Sequence, residues 1–255
     1  MKPTLLLPGL TLGVGMPHIV VSITGKTETE ICRQAQQIAA VPEIALAEWR
    51  ADHFENGRDP QAVLSLLQKL HEVLRGKPLI FTFRTLQEGG AQEISPAAYH
   101  ALCKAVAASH LADLIDVQMF WAEAAPFCVQ DIHAAGGKVI GSWHDFEKTP
   151  PQEEIAARFE AMQQLDADVL KIAVMPHCAA DADTLVNAAR AFSRHALRPL
   201  CAISMGEAGR ITRTHGETFG SCLTFGALES TSAPGQLPVR ELYDVLTAVH
   251  ENCHL

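Results

Sequence analysis

The chain has 255 residues, 48% of them hydrophobic and 19% charged, with a formal net charge of −9. That length supplies one sizeable core, and α/β barrels reach it as a single unit. The acidic balance argues against nucleic acid or an anionic membrane as partner, and no apolar run approaches the roughly 20 residues that span a bilayer.

In chain order, the segment 1–9 carries one lysine and a short apolar stretch broken by Pro8, a weak match to a secretory signal. Residues 11–17 read as a turn and a short extended piece capping a core. Short runs rich in Val, Ile, Leu and Phe then recur at 18–22, 44–50, 79–84, 114–117, 139–144, 169–173, 200–205 and 221–225. Amphipathic stretches stand between them. Val63, Leu64, Leu67, Leu70 and Leu74 repeat at helical spacing, as do Ile155, Phe159, Met162 and Leu165. Leu185, Ala189 and Phe192 form another such set, and Leu242, Val245, Leu246 and Val249 a further one. Asp59-Pro60, Ser95-Pro96 and Thr149-Pro150-Pro151 mark helix starts, and Gly136-Gly137 marks a helix end.

Strand and helix alternating eight times, at a spacing of about 30 residues, give a parallel sheet that closes as a (β/α)8 barrel. No linker or charge block interrupts the pattern, so residues 1–255 are read as one domain. An open, doubly wound sheet competes. It would bind nucleotide through a Gly-rich first turn, and Gly25-Lys26-Thr27 lacks the earlier glycine of a phosphate cradle, since position 20 is Val. The seven cysteines are odd in number and none is in Cys-x-x-Cys spacing. They read as small buried hydrophobes of a reducing, cytoplasmic compartment rather than a disulfide framework or zinc site. Only His250 and His254 have helical i, i+4 spacing, and no third ligand stands near them, so no metal site is expected.

The chemistry gathers at the carboxyl ends of the runs. Lys171 lies inside 169–173, an otherwise buried strand. Burying its charge would be costly, and a neutral amine there would attack carbonyls. A strand-end lysine reaching solvent is the plainer alternative. Side chains alternate along a strand, so one register settles the rest. If Lys171 points inward, so do Val169 and Ala173. Ile80, Thr82 and Arg84 share a face, as do Glu48 with Arg50 (opposite Trp49) and Ser142 with His144. Ser22, Asp116 and Ser204 stand at the same end. A polar interior that satisfies itself, through pairs such as Glu48–Arg50, is the structural alternative. Arg50, Arg84 and Lys171, with Arg213 near, make a cationic mouth suited to a small anionic substrate.

Six segments in order resemble one family. They are Glu48-Trp-Arg-Ala-Asp52, Phe83-Arg-Thr-Leu-Gln-Glu-Gly-Gly90, Ser142-Trp-His-Asp-Phe-Glu-Lys-Thr-Pro150, Lys171-Ile-Ala-Val-Met175, Met205-Gly-Glu-Ala-Gly209 and Ser232-Ala-Pro-Gly-Gln236. Together they resemble type I 3-dehydroquinate dehydratase, a (β/α)8 lyase of the shikimate pathway. The resemblance implies a homodimer with no metal or organic cofactor. It implies that Lys171 forms an imine with the substrate ketone, that His144 shuttles protons, and that Glu88 orients and polarises His144. Arg213 would hold the substrate carboxylate. Ser22, Glu48, Arg50, Arg84, Ser232 and Gln236 would bind hydroxyls or carboxylate, Met205 would pack over the ring, and Trp49 and Phe225 are counted among the substrate contacts. Two positions depart from the pattern: Thr212 stands where serine is expected, and Trp143, where tyrosine is common, should face outward.

The chemistry fits these residues. Dehydration of a β-hydroxyketone removes an α-proton and protonates the leaving hydroxyl. An imine on Lys171 would store the carbanion as an enamine, and one histidine with a pKa near neutrality could serve both proton transfers, giving syn elimination. Cationic neighbours are expected around the lysine, with Glu88 acting against them. The segment 226–236, small and rich in Gly and Pro, reads as a lid, with a plain surface loop as the alternative. Two rivals use the same fold: a class I aldolase or transaldolase, which would need a phosphate site after the seventh and eighth strands, and a non-catalytic quinate-binding barrel.

Overall fold

The structure is a computed structural model that describes residues 3–121, 125–229 and 231–253. It opens with an antiparallel hairpin, β1 (Leu5–Leu7) and β2 (Leu10–Leu12). Pro8 and Gly9 form the turn, with Gly9 at φ +69°. Eight strands follow: β3 (His18–Ile23), β4 (Leu46–Arg50), β5 (Leu79–Thr82), β6 (Leu114–Gln118), β7 (Val139–Asp145), β8 (Val169–Val174), β9 (Leu200–Ser204) and β10 (Leu223–Gly226). All pair in parallel, in the order β10-β3-β4-β5-β6-β7-β8-β9. The ring nears closure where Leu200 bridges Ser221 and the Cys222 N–H donates to the Leu200 carbonyl at 2.8 Å.

Helices α1 (Glu28–Ala40), α2 (Pro60–Val73), α3 (Pro96–Ser109), α4 (Ala125–Ala134), α5 (Gln152–Gln164), α6 (Ala179–Ser193), α7 (Arg210–Thr214) and α8 (Val239–Cys253) fill the connections. The result is the (β/α)8 barrel expected from the alternating pattern. Asp59 and Ser95 cap α2 and α3 with their side chains, each followed by proline in the first turn. The Gly25-Lys26-Thr27 stretch opens α1. The Glu30 carboxylate accepts from the Lys26 and Thr27 N–H groups at 2.8 and 3.2 Å, so it occupies the place a phosphate would take.

Each expected strand is present, with ends that move by no more than two residues. The run 79–84 leaves the sheet after Thr82 for a local reason. The Arg84 N–H donates to Asp52 Oδ1 and the Thr85 N–H to Gln118 Oε1, so side chains replace the ladder. The N-terminal expectation needs correcting, since the ordered unit is the earlier hairpin 5–12. Leu7 and Leu12 are buried against Val20, Leu46, Leu114 and Leu223, plugging the amino end of the barrel. Cys103, Cys128, Cys201 and Cys222 are buried, Cys32 is half-buried, and Cys178 and Cys253 are exposed.

Two shells share each strand. Leu170, Ile172 and Val174 pack outward against the helices, whereas Val169 and Ala173 face the axis. Ala47, Trp49, Phe81 and Phe83 belong to the outer shell, and Leu46 and Ile80 to the inner one. The parity read from the sequence holds on each of these strands.

Candidate active site

At the carboxyl end the inner shell turns polar. Lys171, third residue of β8, is 5% exposed. Its Nζ lies 3.5 Å from Asp116 Oδ2 and 3.7 Å from Glu48 Oε1, and 4.6 Å from the centroid of the Phe225 ring. Register explains the meeting: Ser142 is level with Lys171 across the β7–β8 pair, and Asp116 is one strand further. Glu48 is fixed by hydroxyl donors, Ser22 at 2.6 Å and Thr82 at 3.0 Å. The lysine's nearest charges are therefore carboxylates, and Glu88 is not among them. Of the cationic neighbours expected, Arg84 shares the Asp116 Oδ2 atom with Lys171, whereas Glu88 pairs elsewhere.

Glu88 stands with His144 instead. Its Oε2 accepts from the His144 backbone N–H at 3.1 Å and lies 2.9 Å from Nδ1. Gly89, at φ +81°, ends the turn that carries Glu88, and any Cβ there would meet the Phe146 ring at 2.5 Å. Gly90 packs closer still, where a Cβ would sit 1.9 Å from the Arg84 carbonyl oxygen. The Glu-Gly-Gly sequence is thus what lets the turn fold down onto β7.

Burial holds the His144 pKa well below its ordinary value, with the charges of Arg84, Lys171 and Arg50 acting the same way. Burial also pushes Glu88 up to about 7, Arg84 opposing and Asp116 adding to the shift. The histidine expected near neutrality is in fact poised neutral. Glu88 holds Nδ1, and Nε2 has no hydrogen-bond partner among the described residues.

The arginines divide into two kinds. Arg50 makes a two-pronged pair with Asp52, both contacts at 2.8 Å, and not with Glu48, the pair named for a self-satisfied interior. Burial alone would raise the Asp52 carboxyl, but the hydrogen bonds and charge of Arg50 outweigh it and leave it lowered. Arg84 donates to Asp116 at 2.8 Å and to Ser142 at 2.9 Å. Arg213, on α7, is 1% exposed and has no carboxylate partner among the described residues. It donates to the Pro234 carbonyl at 2.9 Å, its Nε is buried without a partner, and burial lowers its pKa to about 10. A buried guanidinium with an open donor has hydrogen-bonding capacity to spare. Thr212 bonds the Ser204 backbone with its hydroxyl at 2.9 Å, which anchors α7 to β9.

The segment after β10 lies across the mouth. Ser232 donates its hydroxyl to that of Ser22 at 3.0 Å, and Gln236 holds Ser232 through its backbone N–H at 2.8 Å and its hydroxyl at 2.9 Å. The Gly206 N–H donates to Pro234, and a Cβ on Gly235 would meet the Gly206 carbonyl at 2.3 Å. Beneath lies a cavity that opens at the carboxyl end of the barrel.

Ser22, Glu48, Arg50, Arg84, Glu88, His144, Lys171, Met205, Arg213, Phe225, Ser232 and Gln236 all line this cavity. Trp49 does not. It is fully buried on the opposite face of β4, with its ring against Phe54 and Phe81, so its assignment as a substrate contact is corrected. Trp143 faces outward as expected, under the Arg158 guanidinium at 3.7 Å. Asp116 and Ser142 stood at strand ends in the sequence without a role. A buried acid in the apolar run 114–117 was the same kind of signal that drew attention to Lys171. No group of three metal-ligating side chains occurs among the described residues. His250 contacts Glu217, and His254 lies outside the described residues.

Fold and mouth together define a barrel enzyme with a lysine amine and an imidazole facing one small polar cavity. The family model for type I 3-dehydroquinase matches residues 19–253. The chain is 41% identical to 3-dehydroquinate dehydratase of Bacillus subtilis (strain 168), over 97% of this chain and 98% of that protein. It is 42% identical to the Bacillus licheniformis protein of that name, over 99% and 100% of the two. A crystal structure of the type I enzyme from Clostridium difficile, with covalently modified comenic acid, superposes with a TM-score of 0.94 at 41% identity and covers 99% of this chain and 100% of that one. The Enterococcus faecalis structure gives 0.89 at 38%, covering 96% and 98%.

The chain belongs to the type I 3-dehydroquinase family. It is a carbon–oxygen lyase that dehydrates 3-dehydroquinate to 3-dehydroshikimate, a reaction of the shikimate pathway. Neither the aldolase nor the binding-module reading survives that membership.

Proposed function

We propose that the dehydration runs through an imine on Lys171, with His144 as the one proton-transfer group. The Lys171 amine adds to the substrate ketone and water leaves, forming the imine. His144 Nε2 takes a proton from the adjacent carbon, and the electron pair moves into an enamine. The enamine then expels the β-hydroxyl as His144 returns its proton to that oxygen. Water hydrolyses the conjugated iminium, which frees the enone and the amine. Glu88 holds Nδ1 and stabilises the imidazolium while it carries the proton. Arg213 takes the substrate carboxylate, helped by Ser232 and Gln236. Ser22, Glu48, Arg50 and Arg84 face the ring hydroxyls, and Met205 and Phe225 pack on the ring.

The observation that carries this reading is the placement of Lys171 and His144, on adjacent strands, facing one cavity with the unpaired Arg213. The covalently modified ligand in the Clostridium difficile structure supports a covalent step. One histidine serving both transfers requires syn elimination. The test is substrate deuterated at either of the two α-positions. Loss of the label only from the face bearing the leaving hydroxyl fits the reading, and loss from the opposite face overturns it. The chain is proposed to act as a cytoplasmic homodimer without metal or organic cofactor, binding the anionic 3-dehydroquinate and neither nucleic acid nor membrane.

A further inference from the structure

Asp116 receives no part in the steps above, yet three side chains of the mouth converge on its carboxylate. It is 1% exposed, in the middle of β6. Its Oδ2 lies 2.8 Å from Arg84 and 3.5 Å from the Lys171 amine, and its Oδ1 accepts from the Ser142 hydroxyl at 2.6 Å. Ser142 accepts in turn from the other arm of Arg84 at 2.9 Å, which closes a ring of three side chains. The same Arg84 arm lies 3.6 Å from Glu88, the partner of His144. A continuous path therefore runs from Lys171 through Asp116, Arg84 and Glu88 to His144.

We propose that Asp116 is a positioning residue for both halves of the reaction, holding the Lys171 amine directly and the Glu88–His144 pair through Arg84. The inference rests on the roles proposed for Lys171 and His144. The physical argument is one of constraint. Lysine has a long stem and a freely turning head, and a nucleophile displaced by about 1 Å can lose a hundredfold in rate. Asp116 supplies a fixed carboxylate at the amine, and Arg84 and Ser142 fix that carboxylate in turn. Arg84 is then committed at both arms to side chains of the mouth, whereas the arms of Arg213 meet only the Phe225 and Pro234 carbonyls and no carboxylate among the described residues. It acts as a fixed charge beside the dyad more than as a hand on the substrate.

The charges facing Glu88 are Arg84, Asp116 and the dyad partner His144, with Lys171 and Arg50 also acting on His144. Asp116 acts to raise the Glu88 carboxyl and Arg84 to lower it. Replacing Asp116 by asparagine removes the first effect and frees Arg84 to press closer. Glu88 should then ionise at lower pH.

The experiment compares Asp116→Asn with the parent in three readouts. These are kcat and KM, the pH profile of kcat, and the rate at which borohydride with 3-dehydroquinate traps residue 171. A fall in kcat of about a hundredfold is expected, with KM changed less than about threefold because the Arg213 grip is intact. Slower trapping and a kcat profile displaced to lower pH should accompany it. A folded variant with parental trapping rate and an unmoved pH profile would overturn the proposal, whatever its thermal stability. If Asp116→Asn does not fold, Ser142→Ala loosens the same ring without removing a charge. It should then show slower trapping with KM held, and parental behaviour would again overturn the idea. Failure of the parent itself to be trapped at residue 171 would count against the imine reading instead, so the two failures are distinguishable.

Discussion

The two ends of the barrel interior use the same eight strands for opposite purposes. At the amino end, Leu46, Leu114, Ile140, Val169 and Leu223 close on one another and on Leu7 and Leu12 of the hairpin. Two residues further along the same strands stand Glu48, Asp116, Ser142 and Lys171, all buried. The apolar end needs only close packing. The polar end tolerates its charges because nearly all are paired: Arg50 with Asp52, Arg84 with Asp116, Lys171 with Asp116 and Glu48. Arg213 stands apart from that pattern, buried with no carboxylate partner among the described residues. In a barrel, one end holds the fold together and the other performs the chemistry.

The division can be broken one end at a time. The largest effect is expected from Lys171→Met, which should remove measurable turnover while leaving a folded protein that still binds product. Residual turnover near the parental level would show that the amine is not the nucleophile. Arg213→Gln should come next, raising KM roughly 10- to 100-fold, the value of one or two charge-assisted hydrogen bonds. A kcat effect with KM unmoved would contradict the carboxylate grip.

At the other end, Leu12→Ala should cost about 2–5 kcal/mol of stability and leave kcat and KM as they are. Denaturant unfolding beside steady-state kinetics separates these outcomes, and a catalytic defect in a stable Leu12→Ala protein would erase the distinction between the ends. Gln236→Ala should have the smallest effect. It removes neutral hydrogen bonds to Ser232, so KM should rise about three- to tenfold with no change in melting temperature. If KM and kcat both stay put, the segment is a surface loop and not a lid.

Acid sharpens the same contrast. Asp52 and Asp116 are held below the ordinary 3.8, so their stabilisation is complete above that pH and is lost as pH falls through the lowered folded values. His144, also lowered, takes its proton more readily when unfolded, which weakens the fold as pH falls below 6.5. Glu88, raised to about 7 from 4.5, works the other way and costs stability as pH rises between those values. The steep loss from the mouth should therefore fall below about pH 4, where its two buried aspartates take up protons. Asp52→Asn should be less stable at neutral pH and lose less on acidification. Thermal unfolding measured against pH would show it, and an unchanged acid limb would mean that the mouth does not govern acid stability.

Much of this was legible in the sequence because period-two alternation is a strong constraint. Once Lys171 was taken as inward, the parity of Glu48, Arg50, Thr82, Arg84, Ser142 and His144 followed. The errors came where a partner lies off the strand. Arg50 turns to Asp52, just past the end of β4, and that choice depends on how the chain bends after the strand. Trp49 was carried to the site because it lies inside a site motif, although its own parity put it on the far face. The sequence ties Glu88 to the lysine as well as to the histidine, and the fold of the Gly89-Gly90 turn brings it to His144 and Arg84 instead. Asp116 went unused because its role depends on neighbours from three other strands. The hairpin was missed because Pro8-Gly9 reads as a break before it reads as a turn.

The central claim is that the buried Lys171 amine forms the covalent bond to substrate. Its most direct test is reduction with borohydride in the presence of 3-dehydroquinate, followed by peptide mass spectrometry. The account predicts a substrate-derived mass on the peptide containing residue 171, with activity lost in step with labelling. Unlabelled residue 171 in a folded protein that goes on forming product would contradict it.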